Sequence, residues 1–84
     1  MTRPQVKEKL IEIVVDQGLS SETELPDHTR FTEDLNADSI DSFELVIEIQ
    51  NAFDIKIPDD DVSKLKTVGD TVDCIFNILV KKRG

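Results

Sequence analysis

Apolar residues recur every three or four positions in four stretches of this chain, the spacing of helices that bury one face. The first predicted helix runs from Arg3 to about Gln17, with Val6, Leu10, Ile13, Val14 and Gln17 on one face. Thr2 caps it, Gln5 stands three residues later as in a capping box, and Pro4 sits in the first turn, where its missing N–H costs nothing. Gly18 stops it. From Leu19 to Ala37 periodicity is lost, and polar clusters, Pro26 and the isolated apolar residues Leu25, Phe31 and Leu35 predict a long loop pinned to the core by those side chains, of a length that in a small domain is usually functional or disordered.

The second helix is predicted from about Ser39 to Phe53. At about 100° per residue from Ile40, the residues Leu45, Ile49, Phe53 and Val46 fall between about 140° and 240°, forming a core stripe. Phe43, Ile47 and Ile40 fall on the opposite side, at about 300° to 360°, beside Glu44, Glu48 and Asp41 at about 40° to 100°. This second apolar strip is either a partner-docking face or a surface buried under the long loop. Ile55-Lys56-Ile57-Pro58 reads as a short extended connector, because Pro58 disfavours helical geometry at Ile57. A short third helix is predicted over about Asp59 to Leu65, its first turn carrying three aspartates where the helix dipole favours them. Thr67 caps a fourth helix whose apolar face is Val68, Val72, Ile75, Phe76 and Leu79, with Lys81, Lys82 and Arg83 complementing its C-terminal dipole.

The predicted fold class is therefore all-α, a four-helix bundle with a long first loop and a short third helix, built as a single domain over residues 1–84. A domain of this size buries about 60–65% of its unfolded surface, so modest stability is expected. Its core must be aliphatic: the chain has no Trp or Tyr and only 4 Phe. Cys74 is the only cysteine, which excludes an intramolecular disulfide and a cysteine-based zinc site and favours a reducing compartment, here taken as the cytoplasm. Charged residues interrupt the N-terminal segment, which therefore does not resemble a signal peptide, and no apolar run approaches the roughly 20 residues of a membrane span.

The net charge of −8 is unevenly spread. Residues 33–61 carry ten acids (Glu33, Asp34, Asp38, Asp41, Glu44, Glu48, Asp54, Asp59, Asp60 and Asp61) against one base, Lys56, so this segment holds all of the excess. Such a patch repels nucleic acid and anionic lipid and attracts basic protein surfaces, although a solvated face that keeps the protein soluble would look the same. The chain offers no catalytic constellation. His28 is alone in a loop, Cys74 reads as a small buried or half-buried thiol, and the three consecutive aspartates lack the alternating ligands, glycine and distal glutamate of a calcium loop. Neither an enzyme nor a dedicated metal site is expected.

One stretch remains, Asp34-Leu35-Asn36-Ala37-Asp38-Ser39-Ile40-Asp41-Ser42-Phe43-Glu44-Leu45. It ends the loop and caps the second helix, with either Asp38 or Ser39 as the cap, and it puts a hydroxyl at the positive end of that helix. Asp38-Ser39-Ile40 resembles the Asp-Ser-Leu attachment motif of acyl carrier proteins. The resemblance extends upstream to Phe31 and Glu33-Asp34-Leu35, and downstream through Glu44-Leu45-Val46, Phe53-Asp54-Ile55-Lys56-Ile57-Pro58-Asp59-Asp60 and Thr67-Val68.

This resemblance implies a carrier, with the chemistry done elsewhere. A phosphopantetheinyl transferase would move 4'-phosphopantetheine from coenzyme A onto Ser39, with Asp38 helping to coordinate the transferase's magnesium, and acyl groups would ride on the arm as thioesters. Asp41, Glu44 and Glu48 match positions that meet basic patches on fatty acid synthesis and acyl transfer enzymes. Ile40, Phe43 and Ile47 match the apolar docking strip between them. Val46, Ile49, Ile57, Val62 and Leu65 would line an expandable cavity for the acyl chain. The expected partners are thus the transferase, these enzymes and the cargo; nucleic acid, membrane insertion and self-association are not expected. Ile40 in place of leucine, Phe43 in place of a smaller aliphatic, Gln50-Asn51, Lys56 and the basic C-terminal tail depart from the usual pattern. They leave open fatty acid synthesis against a freestanding carrier for polyketide, nonribosomal peptide or D-alanine transfer. An unmodified acidic interaction module is the alternative from another class.

Overall fold

The computed structural model describes residues 1–83; Gly84 and the side chain of Arg83, which the sequence sets against the last helix's dipole, lie outside the described residues. Four helices follow one another, α1 (Arg3–Asp16), α2 (Ser39–Phe53), α3 (Asp59–Val62) and α4 (Val68–Arg83), and the architecture is the all-α bundle that the periodicity predicts. α1 packs against both α2 and α4. At its start the Thr2 hydroxyl accepts from the backbone N–H of Gln5, and the Gln5 side chain accepts from that of Thr2, forming the capping box. At its end Gly18, at φ +81°, lets the chain fold back, so that Leu19 N–H donates to Val14 C=O and Gly18 N–H to Val15 C=O.

The buried arc of α1 is Val6, Leu10, Val14 and Ile11. It spans about 140° of the helix, turned from the arc expected, so Ile13 and Gln17 sit at its edge, half-buried. α2 buries Leu45, Ile49 and Phe53 as predicted, with Val46 packed against their flank. α4 begins where Thr67 Oγ1 accepts from the backbone N–H of Asp70, and it buries Val68, Val72, Ile75 and also Thr71. Thr71 was not expected in the core; it is tolerated there because its hydroxyl donates to the carbonyl of Thr67, one turn back, at 3.0 Å.

The long loop is ordered. Leu25, Phe31 and Ala37 reach the core, and Leu35 packs against it. Backbone bonds fasten the loop to the start of α4: Phe31 N–H to Lys66 C=O, Val68 N–H to Thr29 C=O and Gly69 N–H to Asp27 C=O, at 2.8–3.1 Å. Gly69 lets the two segments approach closely at this seam. A Cβ there would stand 3.0 Å from the Asp27 Cβ and 3.1 Å from its carbonyl oxygen.

α3 is shorter than predicted, ending at Val62 rather than Leu65. Pro58 gives it no side-chain cap, and the following N–H groups bond three residues back, Lys64 to Asp61 and Leu65 to Val62. So short a helix draws little from its own hydrogen bonds. The segment turns early, and Lys66 reaches Phe31 in the seam.

Candidate functional site

Two backbone features expose the serine. Asn36 takes left-handed geometry, φ +57°, which asparagine tolerates better than most residues. The chain there turns so that Ala37 enters the core, its N–H donating to Phe31 C=O at 2.9 Å. Asp38 then serves as the N-cap of α2: its Oδ1 accepts from Asp41 N–H at 2.8 Å, and Asp41 Oδ2 accepts from Asp38 N–H at 3.3 Å. With capping done by Asp38, Ser39 stands in the first helical position, exposed. Among the described residues nothing accepts a hydrogen bond from the backbone amides of Ser39 and Ile40, which leaves two donors and the positive helix end beside the hydroxyl.

Along α2 the second apolar strip is open to solvent, not covered by the loop. Ile40 is 67% exposed, Phe43 66% and Ile47 39%. Glu44 and Glu48 are exposed beside them, whereas Asp41 is half-buried and partly committed to the capping box. On the far side of Ile47, the helix α1 contributes Ile13, Asp16 and Gln17 to a groove of about 510 Å³ shared with Glu44 and Glu48. Sequence reasoning placed Ile13 and Gln17 on the core face of α1. Their position at the edge of that face depends on how α1 rolls against α2.

A second cleft, of about 360 Å³, opens between α2, α3, α4 and the long loop. Val46, Ile49, Val62 and Leu65 line it, joined by Ser39, Ser42, Phe43, Leu45, Phe31 and Thr71. Ile57 does not. It lies buried in the core, its N–H donating to Gln50 Oε1 at 2.8 Å, so the connector runs behind the cleft instead of forming its wall. Thr71 was legible in principle, since it follows Val68 by three residues on the same face of α4. Ser39 and Phe43 belong to the cleft and to the outer surface at once, so the exposed hydroxyl sits at the cleft's mouth.

Two loop carboxylates are held below the usual carboxylate range. Asp27 is lowered first by its hydrogen bond to the Lys7 ammonium and then by the charge of that lysine, 2.7 Å away. Asp34 is lowered chiefly by the backbone N–H of Arg30, which donates to it at 2.8 Å, and secondarily by the Arg30 charge. Burial pushes the Cys74 thiol up, with Asp61 adding to the effect, so this cysteine is a poor nucleophile. Among the described residues no cluster of His, Cys, Asp or Glu side chains is placed to hold a metal ion, and no helix is long and apolar enough to cross a membrane.

The family model for the phosphopantetheine attachment site matches residues 8–75, which contain the loop, the capped serine and the cleft. This chain belongs to the acyl carrier protein family. Acyl carrier proteins of Chlorobium phaeobacteroides and Chloroherpeton thalassium are 40% and 37% identical to it; the first alignment covers 89% of this chain and 96% of the relative, the second 99% of each. The solved structure of an acyl carrier protein from Enterococcus faecalis matches with a TM-score of 0.78 at 37% identity, over 93% of this chain and 99% of that one. As an acyl carrier protein it is a carrier and not an enzyme, it bears a covalent 4'-phosphopantetheine group, and it presents acyl chains to the enzymes of their synthesis.

Proposed function

We propose that Ser39 is the attachment residue and that this acyl carrier protein serves fatty acid biosynthesis, as a monomer in the cytoplasm. The observation that carries the reading is the division of labour between neighbours: Asp38 caps α2, so the Ser39 hydroxyl is exposed at the helix terminus and at the mouth of an apolar cleft. The residues present fit the group. The free amides of Ser39 and Ile40, with the helix dipole, would hold an anionic phosphodiester, and the exposed hydroxyl is open to a transferase. When bound, the arm supplies a terminal thiol that holds acyl groups as thioesters.

The remaining roles belong to this chain's own side chains. Asp38, beside the hydroxyl, would help to coordinate the transferase's magnesium. Ile40, Phe43 and Ile47 offer an apolar strip to partner enzymes, and Asp41, Glu44 and Glu48 steer basic patches toward it. The acid-rich Glu44/Glu48 edge is what favours fatty acid synthesis enzymes as those partners. Val46, Ile49, Val62 and Leu65 shelter the acyl chain from water.

The test is the intact mass of the protein after incubation with coenzyme A and a phosphopantetheinyl transferase. One added phosphopantetheine is expected on the wild type and none on Ser39→Ala. A modified Ser39→Ala protein would overturn the assignment, and an unmodified wild type would make the chain an acidic interaction module.

A further inference from the structure

The far end of α2, about 22 Å from Ser39 along its 15 residues, forms a corner with the last turns of α4. α2 closes there on Asp54, in left-handed geometry at φ +53°. Lys82 fastens the corner: its ammonium donates to the Asp54 carbonyl and, at 3.2 Å, to the Asp54 carboxylate. A shallow groove of about 590 Å³ opens beside this contact, lined by Asp54, Ile55, Lys56, Ile78, Lys81 and Lys82. Ile55 and Ile78 are half-buried, whereas Lys56 and Lys81 are exposed.

Those two lysines are unusual in so acidic a chain. Among the described residues Arg3, Lys7, Arg30, Lys64 and Lys82 each meet a carboxylate, and Lys9 meets the ring of Phe53. Of the described basic side chains that leaves Lys56, Lys66 and Lys81 without an ion pair, and two of the three share this groove. The dipole of α4 explains a cation at Lys81. It does not explain one at Lys56, which lies in the connector outside any helix, or the apolar floor beside both.

We infer that this corner is a second interaction surface, which takes an acidic segment of a partner protein. Carboxylates of the segment meet Lys56 and Lys81, and an aliphatic side chain between them covers Ile55 and Ile78. A phosphate-rich surface suits the groove less well. It would set its charge against the exposed Asp54 carboxylate and leave the apolar floor uncovered, whereas a peptide can place carbon there. The surface lies at the opposite end of α2 from the docking strip, so a partner held on it leaves Ser39 open. Binding there does not require the arm.

The test titrates the unmodified protein with the blocked peptide Glu-Glu-Leu-Glu-Glu at low salt and follows amide chemical shifts. Saturable shifts are expected at Ile55, Lys56, Ile78 and Lys81 at about millimolar peptide, the range that two exposed ion pairs support. Glycine in place of the central leucine should weaken binding severalfold. Lys56→Glu and Lys81→Glu should each weaken it about fivefold or more, because an attraction becomes a repulsion. Lys66→Glu makes the same change in net charge near the opposite end of α4, about 22 Å away, and should leave binding within about twofold. An equal loss in Lys66→Glu would overturn the proposal, as would a peptide that shifts none of the four amides. Inorganic phosphate binding the same amides as tightly would make the corner a general anion site and overturn it too. Amides of Ile40, Phe43 and Ile47 should not move; shifts there would place the peptide on the docking strip, against a separate surface.

Discussion

The side chain of Gln17 donates from Nε2 to the backbone carbonyl of Asp41 at 2.8 Å, tying the end of α1 to the first turn of α2. This bond holds the helix terminus that presents Ser39. The other polar atom of the side chain, Oε1, is buried without a partner, which offsets part of the gain. Gln17→Ala should cost about 1 kcal/mol, lowering the melting temperature by roughly 4–8 °C, while the helical content by circular dichroism stays unchanged.

Capping and attachment sit on adjacent residues, so they separate by mutation. Asp38→Ala should cost about 1 kcal/mol, because it leaves the Asp41 N–H without its partner. Ser39→Ala should leave stability within about 0.5 kcal/mol of the wild type, as an exposed substitution that improves helix propensity. Urea denaturation of both variants, unmodified, checks the contrast. A destabilised Ser39→Ala would show that the serine, not the aspartate, secures the helix.

Glu44 and Glu48 are exposed charges, which steer encounters more than they hold complexes. Replacing both with lysine should slow association with a basic partner enzyme about tenfold or more at low salt, with the circular dichroism spectrum unchanged. Raising ionic strength toward 1 M, where the screening length falls to about 3 Å, should erase the difference. Stopped-flow association rates across a salt series would show it; rates indifferent to both charge and salt would make this face mere solvation.

Each methylene of cargo buried in the cleft contributes about 0.8 kcal/mol before reorganisation costs. A medium-length acyl chain should therefore raise the melting temperature well above that of the bare-arm form. Leu65→Ala should blunt the rise, because Leu65 supplies apolar wall to the cleft. Differential scanning calorimetry over a series of chain lengths measures it, and a flat series would place the cargo in solvent.

Acid should loosen the seam between the long loop and the bundle. The depressed carboxyl of Asp27 is paired with Lys7, so its contribution is fully present above the ordinary aspartate value of 3.8 and is lost as pH falls through the lower folded value. Between pH 5 and pH 2 the wild type should therefore lose more stability than Asp27→Asn, whose side chain does not titrate. The pair is largely exposed, so the difference will be small and should shrink further in high salt. Parallel slopes for the two proteins across that range would mean that the ion pair contributes nothing.

The sequence by itself determined where the four helices begin and that Ser39 stands at the start of the second. Thr2 with Gln5, Gly18, Asp38 ahead of Ser39, and Thr67 with Asp70 are local signals, because a cap or stop acts over only three or four residues. The core stripe of α2 and its opposite apolar strip followed from helical period alone, but whether the long loop covers the strip was left open, and only the structure shows Ile40, Phe43 and Ile47 exposed. What required the tertiary structure were the choices between neighbouring faces and between local and long-range bonds. Only packing could roll α1 so that Ile11 is buried and Ile13 is not, and turn the chain out of helix after Val62 so that Lys66 could meet Phe31. The cleft belongs to the same class. Phe31 and Thr71 line it and Ile57 does not, because its wall is assembled from residues 40 positions apart, and their relative placement is settled by how whole helices pack rather than by any local pattern.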